Sequence, residues 1–211
     1  MWPFRRRPRT RAELIAAADR ARVKGRLDAA VSGYREALGA DDTDPAVHVK
    51  LGPVLARMGD GDGAARSFRV AAQRHLEAGF TDRAVAVNAA AVRALPLDAG
   101  FRLELARLEL LRGRRQDAVN GLVAGGRAQL RAGRQDAGVS LLERALREEP
   151  RHLEGALALA PVYARRGERD AARLLLERVR PAGRGRARRR VLWALFRVAP
   201  SAGALWRFLR G

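Results

Sequence analysis

An all-α fold of stacked helical hairpins is predicted by three observations. Glycines stand at 25, 59, 79, 113, 133 and 167, so a long step, as from 25 to 59, alternates with a short one, as from 59 to 79. The segment Leu51 to Gly59 recurs at Leu159 to Gly167, with Leu105 to Gly113 halfway between. Alternating apolar and polar runs rich in β-branched residues are missing, while Ala, Leu and Arg dominate. A fixed self-similar period is the mark of stacked repeats, each too small to bury its apolar face alone. Good helix formers without period-two alternation leave no strand signal.

Each glycine is followed by an Asp, three places on at 28, 62, 82, 136 and 170 and four on at 117. Glycine closes a helix in the left-handed conformation and Asp is a preferred N-cap, so every rung reads as a tight helix–helix turn. Five places after the rungs come Ala30, Ala64, Ala84, Ala118, Gly138 and Ala172; twelve after come Ala37, Ala71, Ala91, Gly125, Ala145 and the larger Val179. Small side chains at these places let neighbouring helices approach. The pattern predicts helices over 12–24, 28–38, 46–58, 62–78, 82–94, 99–112, 116–132, 136–147, 151–166 and 169–179. Pro53 and Pro161 fall inside two of them, where they remove a hydrogen bond and favour a bend. The stretch 82–96 matches 136–150, both ending in proline, so the super-repeat is one long step plus one short step.

These residues resemble the tetratricopeptide repeat family. Ala160, Tyr163, Gly167, Ala172 and Pro181 follow its order, as do Gly52, Leu55, Gly59, Ala64 and Ala71, and Gly25, Ala30, Tyr34, Ala37 and Leu38 give the first unit. The resemblance covers residues 12–180 and lacks the family's opening Trp. Where the step is short, one helix serves two units, as at 62–78. The resemblance implies a tetratricopeptide-like right-handed solenoid of about five helical hairpins, plus two short C-terminal helices. The organisation expected is a basic disordered tail over 1–11, the repeat domain over 12–180, and a basic amphipathic segment over 181–211.

Charge divides along the same boundaries. The net charge is +19, and 15 of it lies in residues 1–11 and 178–211, which hold fifteen Arg and no acid. The body between them carries 27 basic against 23 acidic groups and is nearly balanced. The ends also hold all three Trp, within the set Trp2, Phe4, Arg5, Arg6, Arg7, Arg188, Arg189, Arg190, Trp193, Phe196, Trp206 and Phe208. Arginine with interfacial aromatics suits an anionic bilayer surface. Two readings of the C-terminal segment stay open, a solenoid cap packed through Val191, Leu195 and Phe196, or a membrane-surface helix. The N-terminal run reads as a solvated tail or a second membrane contact.

Enzyme chemistry finds little support. His48, His75 and His152 lie far apart without metal-ligand spacing and read as helix-face residues. Gly59-Asp-Gly-Asp-Gly63 fails as a calcium loop, because Ala71 stands where the loop's closing Glu belongs, and reads as a turn with an N-cap. No metal or cofactor is expected. With no cysteine, no signal-like apolar stretch and no run of about 18 apolar residues to span a bilayer, the expected location is cytoplasmic, with the inner membrane face as a peripheral site.

In the resembled family the units' first helices line a groove that takes a peptide or a partner's helix. Carried over unit by unit, that groove holds Asp19, Arg22, Arg66, Arg69, Gln73, Arg107, Asn120, Arg127 and Arg165. Most are cationic, so the implied partner is an acidic protein or peptide. The expected function is a non-catalytic protein–protein interaction scaffold. A nucleic-acid-binding accessory protein, using the basic termini, is the alternative raised by a pI near 11.7.

Overall fold

The computed structural model describes residues 9–39, 41–181 and 185–200. Among them stand eleven α-helices and no strand: α1 (Arg11–Val23), α2 (Leu27–Leu38), α3 (Pro45–Arg57), α4 (Gly61–Glu77), α5 (Thr81–Ala94), α6 (Ala99–Leu111), α7 (Arg115–Arg131), α8 (Gln135–Glu148), α9 (Leu153–Arg165), α10 (Arg169–Arg178) and α11 (Arg186–Val198). The ten repeat helices fall within two residues of their predicted bounds, and α11 occupies the predicted amphipathic stretch. The expected second C-terminal helix, after Pro200, lies outside the described residues.

All six ladder glycines take positive φ, between 72° and 87°. At each, the glycine N–H donates to the carbonyl three places back, and the next N–H donates to the carbonyl five places back, as in Gly25 to Arg22 and Arg26 to Ala21. This double closure satisfies the helix's last carbonyls. It also corrects the capping role expected of the Asp residues. The closure is so tight that the residue right after the glycine serves as N-cap, and the recurring carboxylates Asp28, Asp62, Asp82, Asp117, Asp136 and Asp170 fall in the first turn of the next helix. There they complement the positive end of the helix dipole instead of capping it. The turn at 59–63 does have an Asp N-cap, with Asp60 accepting from the Gly63 N–H at 2.8 Å.

The helix starts reveal the unit of repetition. First helices begin at 45, 99 and 153, middle helices at 61, 115 and 169, and third helices at 27, 81 and 135, so each class advances by one and the same interval. The described residues form a half-module, α1–α2, followed by three three-helix modules in which the middle helix is shared by two hairpins.

The molecule divides into two compact units, residues 1–101 and 102–211. In the first, α3 and α5 both pack on α4, and α1 pairs with α2. Its core includes Tyr34, Val47, Val54 and Phe68, closed by the fully buried Ala30, Ala64, Ala71, Ala84 and Ala91. Gly52 of α3 lies flat against the Phe68 ring, which meets Phe101 edge-on at 6.1 Å. In the second unit α7 and α8 approach most closely, through Gly126 and Gly138. A Cβ on either would stand 3.0 Å from the other's carbonyl oxygen. Gly125, one of the small residues expected to let helices approach, is also tightly placed: a Cβ there would come within 2.9 Å of Arg102 Cδ. Further on, α9, α10 and α11 bury Ala156, Ala160, Ala172, Leu176, Val179, Val191 and Val198 together. α11 lies against both α9 and α10, as α5 does against α3 and α4.

Candidate functional site

In the first unit, Asp19 is a structural anchor. It accepts from Tyr34 Oη and from Lys50 Nζ, both at 2.6 Å, and so ties α1 to α2 and α3. Burial pushes its carboxyl upward, but the hydrogen bonds from Lys50 and Tyr34 prevail and hold it below the usual range. Arg22 stands 3.9 Å from the same carboxylate. On α4, Arg69 reaches Asp98 at 3.2 Å and stacks over Phe101, and Gln73 donates to Glu77. Arg66 is exposed with no carboxylate partner among the described residues.

In the second unit, Arg107 is bound bidentately by Glu104, at 2.9 and 2.6 Å. Arg127 of α7 meets Glu154 of α9 at 3.1 Å, and Arg190 of α11 meets the same carboxylate at 2.5 and 3.0 Å. Glu154 therefore links three helices, and the Arg190 hydrogen bond, ahead of Arg127's contribution, holds its carboxyl below the usual range. His152, expected on a helix face, is instead the N-cap of α9: its Nδ1 accepts from the Gly155 N–H at 3.1 Å. Its Nε2 faces Asn120 Oδ1 at 3.4 Å.

Of the six arginines expected to line a groove, Arg69, Arg107 and Arg127 are thus engaged by the chain's own acids. Arg165 is not. It opens onto a cleft of about 470 Å³ bounded by the ends of α9 and α11 and the start of α10. The floor is apolar, made by Leu157, Pro161 and Ala164 of α9 with Ala194 and Val198 of α11. Four arginines, 165, 169, 190 and 197, stand around it with no carboxylate in the lining, and the 45% exposed Trp193 forms one side. Arg169 and Pro200 also line an adjoining depression, which holds Glu168 and Asp170. Only Arg190 has an acid partner; Arg165, Arg169 and Arg197 are exposed without one among the described residues.

The cleft lies in the module that departs from the ladder's pattern. The ladder's next short step would place a glycine at 187, where the sequence has Ala187. In this module α10 ends after 10 residues where α4 and α7 run 17. Sequence reasoning missed Arg169 and Arg197 as site residues; the absent rung was the signal.

The expected anion contacts on α11 divide. Arg190 is taken up by Glu154, Arg188 is half-buried, Arg189 is exposed, and the Trp193 ring meets Phe196 at 5.6 Å. The buried face runs through Val191, Leu192 and Val198, with Leu195 packed partly buried against the same cluster, so of the Val191, Leu195, Phe196 face expected for a cap the first two pack and Phe196 is half-buried. Trp2, Phe4, Arg5, Arg6, Arg7, Trp206 and Phe208 lie outside the described residues.

Both tyrosines of the chain are hydrogen-bonded to acids and half or fully buried, Tyr34 to Asp19 and Tyr163 to Glu143 at 2.9 Å. Burial, then the adjacent carboxylate, pushes each phenol up to about 12. An unfolded tyrosine titrates near 10, so these phenols' contribution to stability is complete below about 10 and fades as pH rises toward 12. Phenolate absorbance should therefore stay flat through pH 10 in the native protein; an ionisation step there would contradict the two hydrogen bonds.

Six glycine-closed helix turns in a regular three-helix register define a helical-repeat fold, and no group of His, Cys, Asp or Glu among the described residues could hold a metal ion. A tetratricopeptide repeat family model matches residues 129–192. Over that stretch the chain matches the tetratricopeptide repeat, a fold whose members generally mediate protein–protein interaction. Among solved structures it is similar to a TPR repeats protein from Bacteroides fragilis, 12% identical over 95% of this chain and 96% of that one, with a TM-score of 0.47. It is also similar to MamA, 16% identical over 80% and 89% with a TM-score of 0.37, and to Pseudomonas aeruginosa PilF, 16% identical over 95% and 87% with a TM-score of 0.34. The comparison with curated proteins gave no match. No helix among the described residues is long and apolar enough to cross a membrane.

Proposed function

We propose that the protein is a non-catalytic scaffold that holds an acidic protein or peptide partner against arginines of its repeat. The observation that carries this reading is the acid-free lining of the α9–α11 cleft. Three of its arginines have no acid partner among the described residues, and a guanidinium in that state is available for bidentate carboxylate recognition. Arg66 offers the same chemistry in the first unit. The arginines of residues 1–11 and 178–211 add attraction to an anionic membrane surface, worth about 1 kcal/mol per basic residue close to it.

Fluorescence anisotropy tests the reading with a labelled peptide of repeating Glu-Glu-Leu, its Lys-Lys-Leu counterpart and a labelled DNA duplex. Saturable binding of the acidic peptide alone at physiological salt is expected. Tighter binding of DNA, with affinity falling steeply as salt rises, would replace the scaffold with the nucleic-acid reading, which rests on the acid-free ends. Co-sedimentation with phosphatidylserine vesicles, but not with phosphatidylcholine alone, is expected if the ends tether the protein. Equal behaviour with both removes the tether.

A further inference from the structure

We infer that the α9–α11 cleft is a docking pocket for a short acidic segment that carries a large apolar side chain between carboxylates. This rests on the acidic-partner reading and names the place and the ligand's chemistry. Two features must be matched at once. The floor of Leu157, Pro161 and Ala164 is apolar and recessed, so it gains from burying an apolar side chain. The lining holds four arginines and no carboxylate, with Arg190 held by Glu154 and Arg169 shared with the depression of Glu168 and Asp170, so anionic groups flanking the apolar side chain complement it.

A cleft of about 470 Å³ is within the range of sites that enclose a small ligand or a few residues of peptide. Its concavity favours a peptide over a bilayer. A membrane-surface helix presents its apolar side chains outward on a convex face, whereas here the apolar floor is recessed and the arginines surround it. Trp193 adds an amphipathic wall against which an apolar side chain can pack. Arg190 is already held by Glu154, so recognition falls to Arg165, Arg169 and Arg197.

The full chain with Trp2→Phe and Trp206→Phe leaves Trp193 as the single tryptophan and reports the cleft directly. The probes are the capped peptides Glu-Glu-Leu-Phe-Glu-Glu and Glu-Glu-Ser-Gly-Glu-Glu. The first should shift Trp193 emission saturably, and the second should bind at least about tenfold more weakly because the floor stays unfilled. The paired substitution R165E/R169E, on exposed side chains that leave the fold intact by circular dichroism, should weaken the first peptide by at least about tenfold. Ala164→Phe fills the floor and should abolish the shift. If the acidic peptide binds with equal affinity to R165E/R169E, the cleft assignment fails while the acidic-partner reading stands. If neither peptide binds the intact chain, both fail. Phosphatidylserine vesicles that shift Trp193 in an Arg165- and Arg169-dependent way, where the peptide does not, would make the occupant a lipid and overturn the inference.

Discussion

Replacing Gly126 by alanine should destabilise the protein by about 1–3 kcal/mol, although the same exchange in an open helix stabilises by about 0.5–1 kcal/mol. The added Cβ would stand 2.6 Å from Leu142 Cγ and 3.0 Å from the Gly138 carbonyl oxygen. Neither neighbour can give way cheaply. Leu142 is fully buried, with its branch point as well as a terminal methyl in the way, and a carbonyl oxygen moves only if α8 moves. Gly138→Ala meets the mirror obstacle, Leu130 at 2.7 Å and the Gly126 carbonyl oxygen at 3.0 Å. Gly121, earlier on α7, has nothing within 4 Å of its built Cβ, so Gly121→Ala should stabilise. Opposite signs at 121 and 126 in chemical denaturation are the expected result. A stabilising Gly126→Ala would show that α7 and α8 do not cross at these residues.

That crossing was readable in the sequence because the constraint is local. A helix that passes within backbone contact of its neighbour needs glycine at the contact, and a short step between rungs leaves room for only one orientation of the turn. The same holds for the buried alanines five and twelve places after each rung, such as Ala64 and Ala71. The ion pairs were not readable. Lys50 finds Asp19 across 31 residues and Arg190 finds Glu154 across 36, and nothing in either side chain announces which acid the packing will present. The carried-over groove therefore counted Arg69, Arg107 and Arg127 as available when the chain's own acids had claimed them. The cleft was half legible. Arg165 was singled out, but Arg169 stood only as the start of a predicted helix and Arg197 as part of a basic end. What joins them is the packing of α11 on α9 and α10, which spans residues far apart in sequence.

Val191→Asp should detach α11 while leaving the rest of the repeat folded. Val191 is fully buried among Ala156, Ala160, Ala172, Leu176 and Val179, so a carboxylate there has no polar partner. An unpaired charge in apolar surroundings costs several kcal/mol, more than the about 1.5–3 kcal/mol that burying one Val or Leu contributes. The Ala control, which loses two methyl groups and leaves a small void, should cost only about 2 kcal/mol and keep α11 in place. The arginines between 178 and 190 provide the readout. Trypsin should cut there faster in Val191→Asp than in Val191→Ala, with Trp193 emission shifted to the red in the single-tryptophan background. Burial raises the new carboxyl's folded pKa, so the penalty is largest at neutral pH and shrinks as falling pH protonates it. Unchanged proteolysis at neutral pH would mean that Val191 does not hold α11 to α9 and α10. Because α11 forms one wall of the arginine cleft, loss of α11 docking should also abolish the acidic peptide's effect on Trp193, although none of the cleft's own side chains has been altered.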